Sequence, residues 1–292
     1  METKETTVII RTKNNEDIIS QTLKALFSQT YKDFDLLVVD SGSSDKTLDI
    51  ISFYEHKLIK VKPEDYHPGI VLNNAVSKTH TNLVVFLNSD TVMLHKDCLE
   101  TLIYELKKDY VSAVFARQIA RPEAKPWVRR DYEIAFPKDG KSPSWMYFSL
   151  PLSAIKKTVW SANPFYTQAW ASEDTKMGYD LKTKKQYVRY VHDARVMHSH
   201  NYTLKQIYNR RFVEGEADAF IFDNQFNLFN MFRSYASSLY NDMKYHLKIG
   251  EYKELSLCFL RRFVYQAAYY NGHKNGQKRK VINADATYGN YQ

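Results

Sequence analysis

The sequence predicts an α/β fold: a mostly parallel central sheet with helices on both faces, followed by a C-terminal helical extension. Three observations carry this. Over the first 120 residues, strand-like apolar runs alternate with segments of helical spacing. Each strand-like run is continuously apolar, as befits a strand covered on both faces. From about Asn224 onward the pattern is helical and rich in Phe, Tyr, Lys and Arg.

The elements follow in order. TTVIIRT (6–12) reads as the first strand. NNEDIISQTLKALFSQ places Ile18, Ile19, Leu23, Leu26 and Phe27 on one helical face, with Asn14 or Asn15 as cap and Glu16 and Asp17 in the first turn. FDLLVVD (34–40) is a second strand, SGSSD (41–45) a turn, and KTLDIISFYE a second helix. KLIKVK (57–62), HPGIVLNNAVSKT (67–79) and NLVVFLN give a third strand, a third helix and a fourth strand. HKDCLETLIYELKK (95–108) is helical, and YVSAVFARQIA (110–120) is a strand. Residues 121–150 break the rhythm with Pro, Gly, basic residues, Trp127, Trp145 and Tyr147, and are expected to form a binding loop. PLSAIKKTVW reads as a helix, QYVRYVHDARVMHSH (186–200) as a strand, and TLKQIYNRRF opens a charged helix. The expected division is 1–215 for the α/β domain and 216–292 for the helical extension.

With 292 residues, 44% apolar and 25% charged, the chain is long enough to bury a core without staples. Two distant cysteines, Cys98 and Cys258, argue against a disulfide scaffold or a zinc site and fit a reducing compartment. The N-terminal METKETTVIIRTKNN does not read as a signal peptide, and no run approaches the roughly 18 apolar residues of a membrane span. A cytoplasmic protein, free or peripheral on the inner face of the membrane, is therefore expected. The net charge of +8 favours nucleotides, phosphates, nucleic acid or an anionic membrane face, though a solvated basic surface accounts for it equally well.

Neither GxGxxG nor GxxxxGK[ST] occurs, so a bound nucleotide needs something other than a glycine-rich loop to neutralise its phosphates. A divalent metal held by carboxylate and imidazole meets that need. Ligands of parallel sheets sit at the carboxyl ends of the strands, where Asp40 and Asp90 stand. Asp90 is the natural first metal ligand. His198 and His200, two apart at the end of a later strand, can face one site, with His198 preferred. Glu173 and Asp174 read locally either as a helix cap or as a catalytic base.

The ordered set TVIIRTKNNEDIISQTLKALFSQTYKDFDLLVVDSGSSDKT, NLVVFLNSD, SEDTKMG and DARVMHSHNYT resembles the bacterial family 2 glycosyltransferases of the GT-A fold over roughly residues 6–215. HSHNYTLKQIYNRRF is similar to their rhamnosyltransferase-like branch. The resemblance implies a catalytic domain at 1–215 that moves a sugar, with inversion, from a nucleotide diphosphate donor to an acceptor hydroxyl. It implies that Asp40 binds the nucleobase, with the backbone around Arg11, Thr12 and Lys13 on the other side of the base. The Asp-x-Asp motif that binds metal and diphosphate reads Asn88-Ser89-Asp90 here, leaving Asp90 as the principal carboxylate for Mg²⁺ or Mn²⁺. Asp174 maps to the base, Glu173 to an orienting role, and His198 to the late metal-binding histidine.

The Arg-Asn pair frequent in relatives is replaced by Asn73-Asn74; Arg210 and Arg211, or Arg129 and Arg130, are candidates to meet the phosphate charge instead. The implied donor is dTDP-rhamnose or a UDP-sugar, and the implied acceptor a saccharide or lipid-linked saccharide. The extension reads as a helical cap, a membrane-surface element or a self-association surface. Two other classes are weighed against this. A sugar-phosphate nucleotidyltransferase needs a glycine-rich basic loop that TKNNED does not supply. A nucleic-acid binder finds neither helix-turn-helix nor zinc spacing, so no nucleic-acid partner is expected.

Overall fold

The computed structural model describes residues 4–222 and 224–282. By Cα proximity it divides into two compact units. The first comprises the chain up to Arg121, Tyr132–Tyr166 and Asp174–Ser199; the second comprises Pro122–Asp131, Thr167–Glu173 and the chain from His200. The last residues of the expected extension, 283–292, lie outside the described residues.

The first unit carries the sheet. Its strands are β1 (Thr6–Thr12), β2 (Phe34–Asp40), β3 (Lys57–Lys60), β4 (Leu83–Asn88), β5 (Val92–Met93), β6 (Val111–Ile119), β7 (Leu152–Lys156) and β8 (Tyr187–Met197). They lie in the order β3-β2-β1-β4-β7-β6-β8-β5. Parallel pairing joins β3, β2, β1 and β4, and joins β6 to β8. Antiparallel pairing brings in β7 and β5, so the sheet is mixed. The helices are α1 (Ile19–Phe27), α2 (Thr47–Ile51), α3 (Pro68–Ser77), α4 (Cys98–Leu106), α5 (Pro126–Ala135), α6 (Lys157–Ala162), α7 (Glu173–Thr183), α8 (Leu204–Ile221), α9 (Leu228–Ile249) and α10 (Tyr252–Val281).

The continuous apolar runs have the physical meaning expected of them. Successive side chains of a strand point to opposite faces. Val8, Ile10, Val38, Val85 and Leu87 enter one core with Leu23, Leu26, Leu99 and Leu102 of α1 and α4. Their neighbours Ile9, Leu37, Val39, Val84 and Phe86 enter a second core on the other face, with Val71 and Leu72 of α3 and Met177 and Leu181 of α7.

Two segments depart from the sequence expectation. PLSAIKKTVW is not one helix: Leu152–Lys156 pairs antiparallel to β4 and β6, and only Lys157–Ala162 is helical. Leu152, Ser153, Ala154 and Ile155 are buried on both faces, so sheet pairing overrides a composition that suits a helix. Residues 121–150 are not wholly irregular either, since α5 begins at Pro126, a residue whose missing N–H is harmless at a first helical position.

The second unit is built on α8, α9 and α10. Thr203 and Gln206 close a capping box on α8, Asn227 caps α9, and Gly250 (φ +75°) ends α9 in the left-handed conformation. Helices α8 and α10 touch backbone to backbone. A Cβ on Gly272 would lie 1.9 Å from the carbonyl oxygen of Phe212, and one on Gly215 would lie 2.2 Å from that of Tyr269. The interior of this unit is ionic. Asp242, fully buried, accepts from Arg130 (2.6 Å) and Arg262 (2.7 Å), and Arg262 also reaches Asp131 (2.6 Å). Buried Glu216 pairs with Arg279, and Arg261 lies over the Trp127 ring. Among the described residues no helix is long and apolar enough to cross a membrane.

Candidate active site

Register brings the carboxyl ends of three strands level. Arg11 lies beside Asn88, and Thr12 beside Asp40. The loops beyond these ends are stitched together. Asn14, at φ +48°, accepts from the Ser44 N–H (2.8 Å), and Asn15 N–H donates to Thr47 Oγ1 (2.7 Å). Asn15 Nδ2 also donates to Ser89 Oγ, and Thr22 Oγ1 donates to the Ser89 carbonyl (2.9 Å). Asn14 and Asn15 are therefore loop ties and not caps of α1, which starts at Ile19 with no side-chain cap.

Asp40 is buried at the end of β2. Its carboxylate accepts from the N–H groups of Gly42 (3.1 Å) and Ser43 (3.2 Å) and from Ser43 Oγ (2.5 Å). It folds the S-G-S-S turn around itself, with Gly42 at φ +88°. The Thr12 carbonyl accepts from Ser41, and Thr12 Oγ1 is buried with no hydrogen-bond partner among the described residues. Arg11 and Lys13 flank Thr12 at the same edge.

Asp90 follows β4 by two residues, and its backbone carbonyl accepts from Arg121 Nη2 (2.6 Å). The His198 imidazole faces it, with Nε2 3.6 Å from Asp90 Oδ2. His198 lies just past β8 and is fixed from behind. Its backbone N–H donates to the Ile119 carbonyl, and its Nδ1 lies 2.8 Å from Gln118 Oε1 and 3.2 Å from the Tyr132 hydroxyl. Gln118 Nε2 donates to Ser149 Oγ (2.8 Å), which turns Oε1 toward the imidazole. Nδ1 then carries the proton, and the Nε2 lone pair points to the Asp90 side. The ring is thereby held from behind, with Nε2 turned toward Asp90. His200, two residues on, stacks its ring on Tyr202 (5.1 Å). Asp90, His198 and His200 each offer a ligand atom, all within 4.8 Å of one another. One carboxylate and two imidazoles form a donor set that could hold a divalent metal ion.

Asp174 reaches the same sheet edge by a different route. It sits in the first turn of α7, and its carboxylate accepts from the N–H groups of Thr175 (2.7 Å) and Leu150 (3.3 Å). Leu150 precedes Pro151, whose carbonyl accepts from Asn88 N–H (3.0 Å), and Leu152 pairs with Leu87. The carboxylate is thereby anchored two residues from the start of β7, beside the end of β4. Glu173, the first residue of α7, is buried.

The substitutes considered for the missing arginine are engaged elsewhere. Asn73 clamps Trp160 and Phe165 through three hydrogen bonds. Arg129 donates to the carbonyls of Ala124 and Pro122, and Arg130 pairs with Asp242. Arg211 pairs with Glu214 between the rings of Tyr265 and Tyr269, and Arg210 joins the same carboxylate at 2.9 Å. Sequence reading missed Gln118, Arg121 and Tyr132. Gln118 is buried in Arg-Gln-Ile at the end of β6, a polar residue just past the apolar run AVFA. That position was the available signal.

A mixed sheet with loops and carboxylates gathered at the carboxyl ends of its parallel strands, followed by C-terminal helices, has the GT-A architecture. The sequence pattern of Glycosyl transferase family 2 matches residues 7–194, more than half of the chain, and the protein belongs to that family. It is 27% identical over 222 residues to the O-antigen chain rhamnosyltransferase RfbN of Salmonella typhimurium, covering 72% of this chain and 71% of that one. The O-antigen chain rhamnosyltransferase WbaN of Salmonella anatum is 28% identical over 203 residues, covering 65% and 64%. In fold it is similar to the mannosyltransferase PcManGT from Pyrobaculum calidifontis, solved with GDP-Man and Mn²⁺. The TM-score is 0.66 at 17% identity, covering 94% of this chain and 87% of that one.

Proposed function

We propose that this glycosyltransferase is metal-dependent and inverting. It moves a sugar from a nucleotide diphosphate donor, dTDP-rhamnose ahead of a UDP-sugar, to a hydroxyl of a saccharide or lipid-linked saccharide in cell-surface polysaccharide synthesis. The observation that carries the reading is the approach of His198, whose Nδ1 is met by Gln118 and Tyr132, to Asp90 at the same sheet edge to which Asp174 is anchored. The similarity to two O-antigen rhamnosyltransferases supports the choice of donor and product class.

In this reading residues 1–215 form the catalytic domain, Asp90, His198 and His200 hold Mn²⁺ or Mg²⁺, and Ser89 lies against the diphosphate. A cation bound there supplies Lewis-acid neutralisation of the leaving diphosphate. Asp40 and the turn it organises meet the nucleobase on one side, and the backbone at Arg11, Thr12 and Lys13 meets it on the other. Asp174 takes the proton of the acceptor hydroxyl as that oxygen attacks the anomeric carbon opposite the leaving group. Glu173 orients the acceptor. The attack is direct, so the anomeric centre inverts and no covalent sugar–enzyme intermediate forms.

Asp174→Asn keeps one acceptor oxygen for the two N–H groups that the carboxylate meets with separate oxygens, and removes the base. Transfer is expected to fall by about 10²–10⁴-fold, while nucleotide affinity stays within about threefold. Transfer at the wild-type rate in that variant removes Asp174 from the chemistry. The small product separates the enzyme classes, since a glycosyltransferase releases nucleoside diphosphate and a nucleotidyltransferase releases pyrophosphate.

A further inference from the structure

Helices α9 and α10 of the second unit are inverted relative to a water-soluble helix pair. Part of their charge turns inward, while several of their largest apolar and aromatic residues stand outward. Asp242, His246, Arg261 and Arg262 are buried, while Phe229 is 72% exposed, Phe232 53%, Leu260 52% and Phe259 46%. The ionic interior sets this rotation. Asp242 on α9 is held by Arg262 on α10 (2.7 Å), and Tyr235 meets Phe263 edge-on at 5.9 Å. Turning either helix to hide its phenylalanines would break the Asp242–Arg262 pair. An exposed apolar surface of this kind marks an interaction site.

Charge decides between occupants. Along α9 the exposed charged residues are Arg233, Lys244 and Lys248, and along residues 252–263 of α10 the exposed charge is Lys253. The acids of these stretches, Asp242 and Glu254, are turned into ion pairs with Arg262 and Arg261. Two copies meeting face to face about a twofold axis would bring like charges together. An anionic bilayer complements the face in both respects. Basic groups meet lipid phosphates, and aromatic and aliphatic groups enter the headgroup–acyl boundary. Neither helix is apolar enough to cross, so the contact is interfacial.

We propose that the outer faces of α9 and of the first three turns of α10 dock this protein on an anionic lipid surface. The proposal stands on the surface chemistry and does not depend on the identity of the donor.

The test is flotation of the full chain with vesicles of phosphatidylcholine alone and of phosphatidylcholine mixed with phosphatidylglycerol, at low and raised salt. The expected result is flotation with the anionic vesicles only, weakened by salt. Two variants follow: Phe229→Ser with Phe232→Ser and Phe259→Ser, and Arg233→Glu with Lys244→Glu and Lys248→Glu. Both are expected to keep nucleotide binding and to lose flotation. The charge variant falls by about a hundredfold in partitioning, at roughly fivefold for each basic residue. Absence of flotation with phosphatidylglycerol overturns the proposal, as does equal flotation on neutral lipid. A dimer in light scattering that the aromatic variant dissociates, without flotation, also overturns it in favour of a second copy. The lipid comparison uses the unaltered chain, so a variant that fails to fold does not decide the outcome. Flotation needs no nucleotide, and nucleotide titration needs no lipid, so failure of either reading leaves the other standing.

Discussion

The two units of this chain solve burial in opposite ways. In the first, Val, Ile and Leu of β1, β2 and β4 fill both faces of the sheet, and the polar residues collect where the strands end. In the second, Asp242, Arg262 and Glu216 occupy the interior, while Phe229 and Phe232 face outward. The contrast follows from the physics of each interior. An apolar core is non-directional and tolerates exchange of similar shapes. An ionic interior is directional, because each charge taken from water must be met at a fixed geometry.

The sharpest way to break the contrast is in the second unit. Asp242→Ala takes the buried carboxylate from two buried guanidinium groups and leaves them Asp131 as their one carboxylate among the described residues, and a loss of about 3–5 kcal/mol of stability is expected. Joint replacement of Asp242, Arg130 and Arg262 by apolar residues of similar volume is expected to cost far less or to stabilise. Denaturant melts of the two variants measure both. Equal losses would mean that the ion pairs do not act as one group.

The first unit has its own buried polar contact, and it sits at the site. Gln118→Leu removes the acceptor of His198 Nδ1–H without adding charge. Manganese affinity is expected to fall by about 10–100-fold, with a melting temperature near that of the unaltered chain. Gln118→Glu, which still accepts, restores most of the affinity. Calorimetric titration of Mn²⁺ reads this directly, and an unchanged affinity in Gln118→Leu would reduce that residue to packing.

The smallest expected effect is on pH. Burial lowers the pKa of His246 and of His273 below the ordinary 6.5, since the charged ring is poorly solvated. Above that pH both are neutral whether folded or unfolded, and they contribute nothing to pH dependence. As pH falls through 6.5 the unfolded chain takes up protons that the folded chain refuses, so stability declines toward acid. Thermal melts at about pH 7.5 and about pH 5.5 should show the decline, and replacing both histidines by Gln should flatten it. An identical slope in the double variant would assign the acid sensitivity to other groups.

The same contrast explains what could be read from the sequence. Asp40 and Asp90 were legible because an apolar strand ending in a carboxylate is a local pattern, and the register of three parallel strands then aligns the ends. His198 and His200 were legible as a spaced pair. Leu152–Lys156 was not legible as a strand, because its pairing partners lie far away in sequence and its leucine, alanine and lysine suit a helix. Gln118 and Tyr132 gain meaning only when β6 and α5 bring them to one imidazole. In the second unit the apolar content of α9 and α10 was visible, but its direction was not. Which face turns inward is fixed by the pairing of Asp242 with Arg262, a contact between helices that no single-helix pattern reveals.

In the proposed function, Asp90 and His198 hold a cation against the diphosphate of a nucleotide. Calorimetric titration of dTDP and UDP into the full chain, with and without Mn²⁺, and into Asp90→Asn under the same conditions, tests it most directly. Binding of one nucleotide that requires Mn²⁺ and is lost in Asp90→Asn is the expected result. Nucleotide binding of equal strength without metal, or an Asp90→Asn variant that binds as the unaltered chain does, would contradict it.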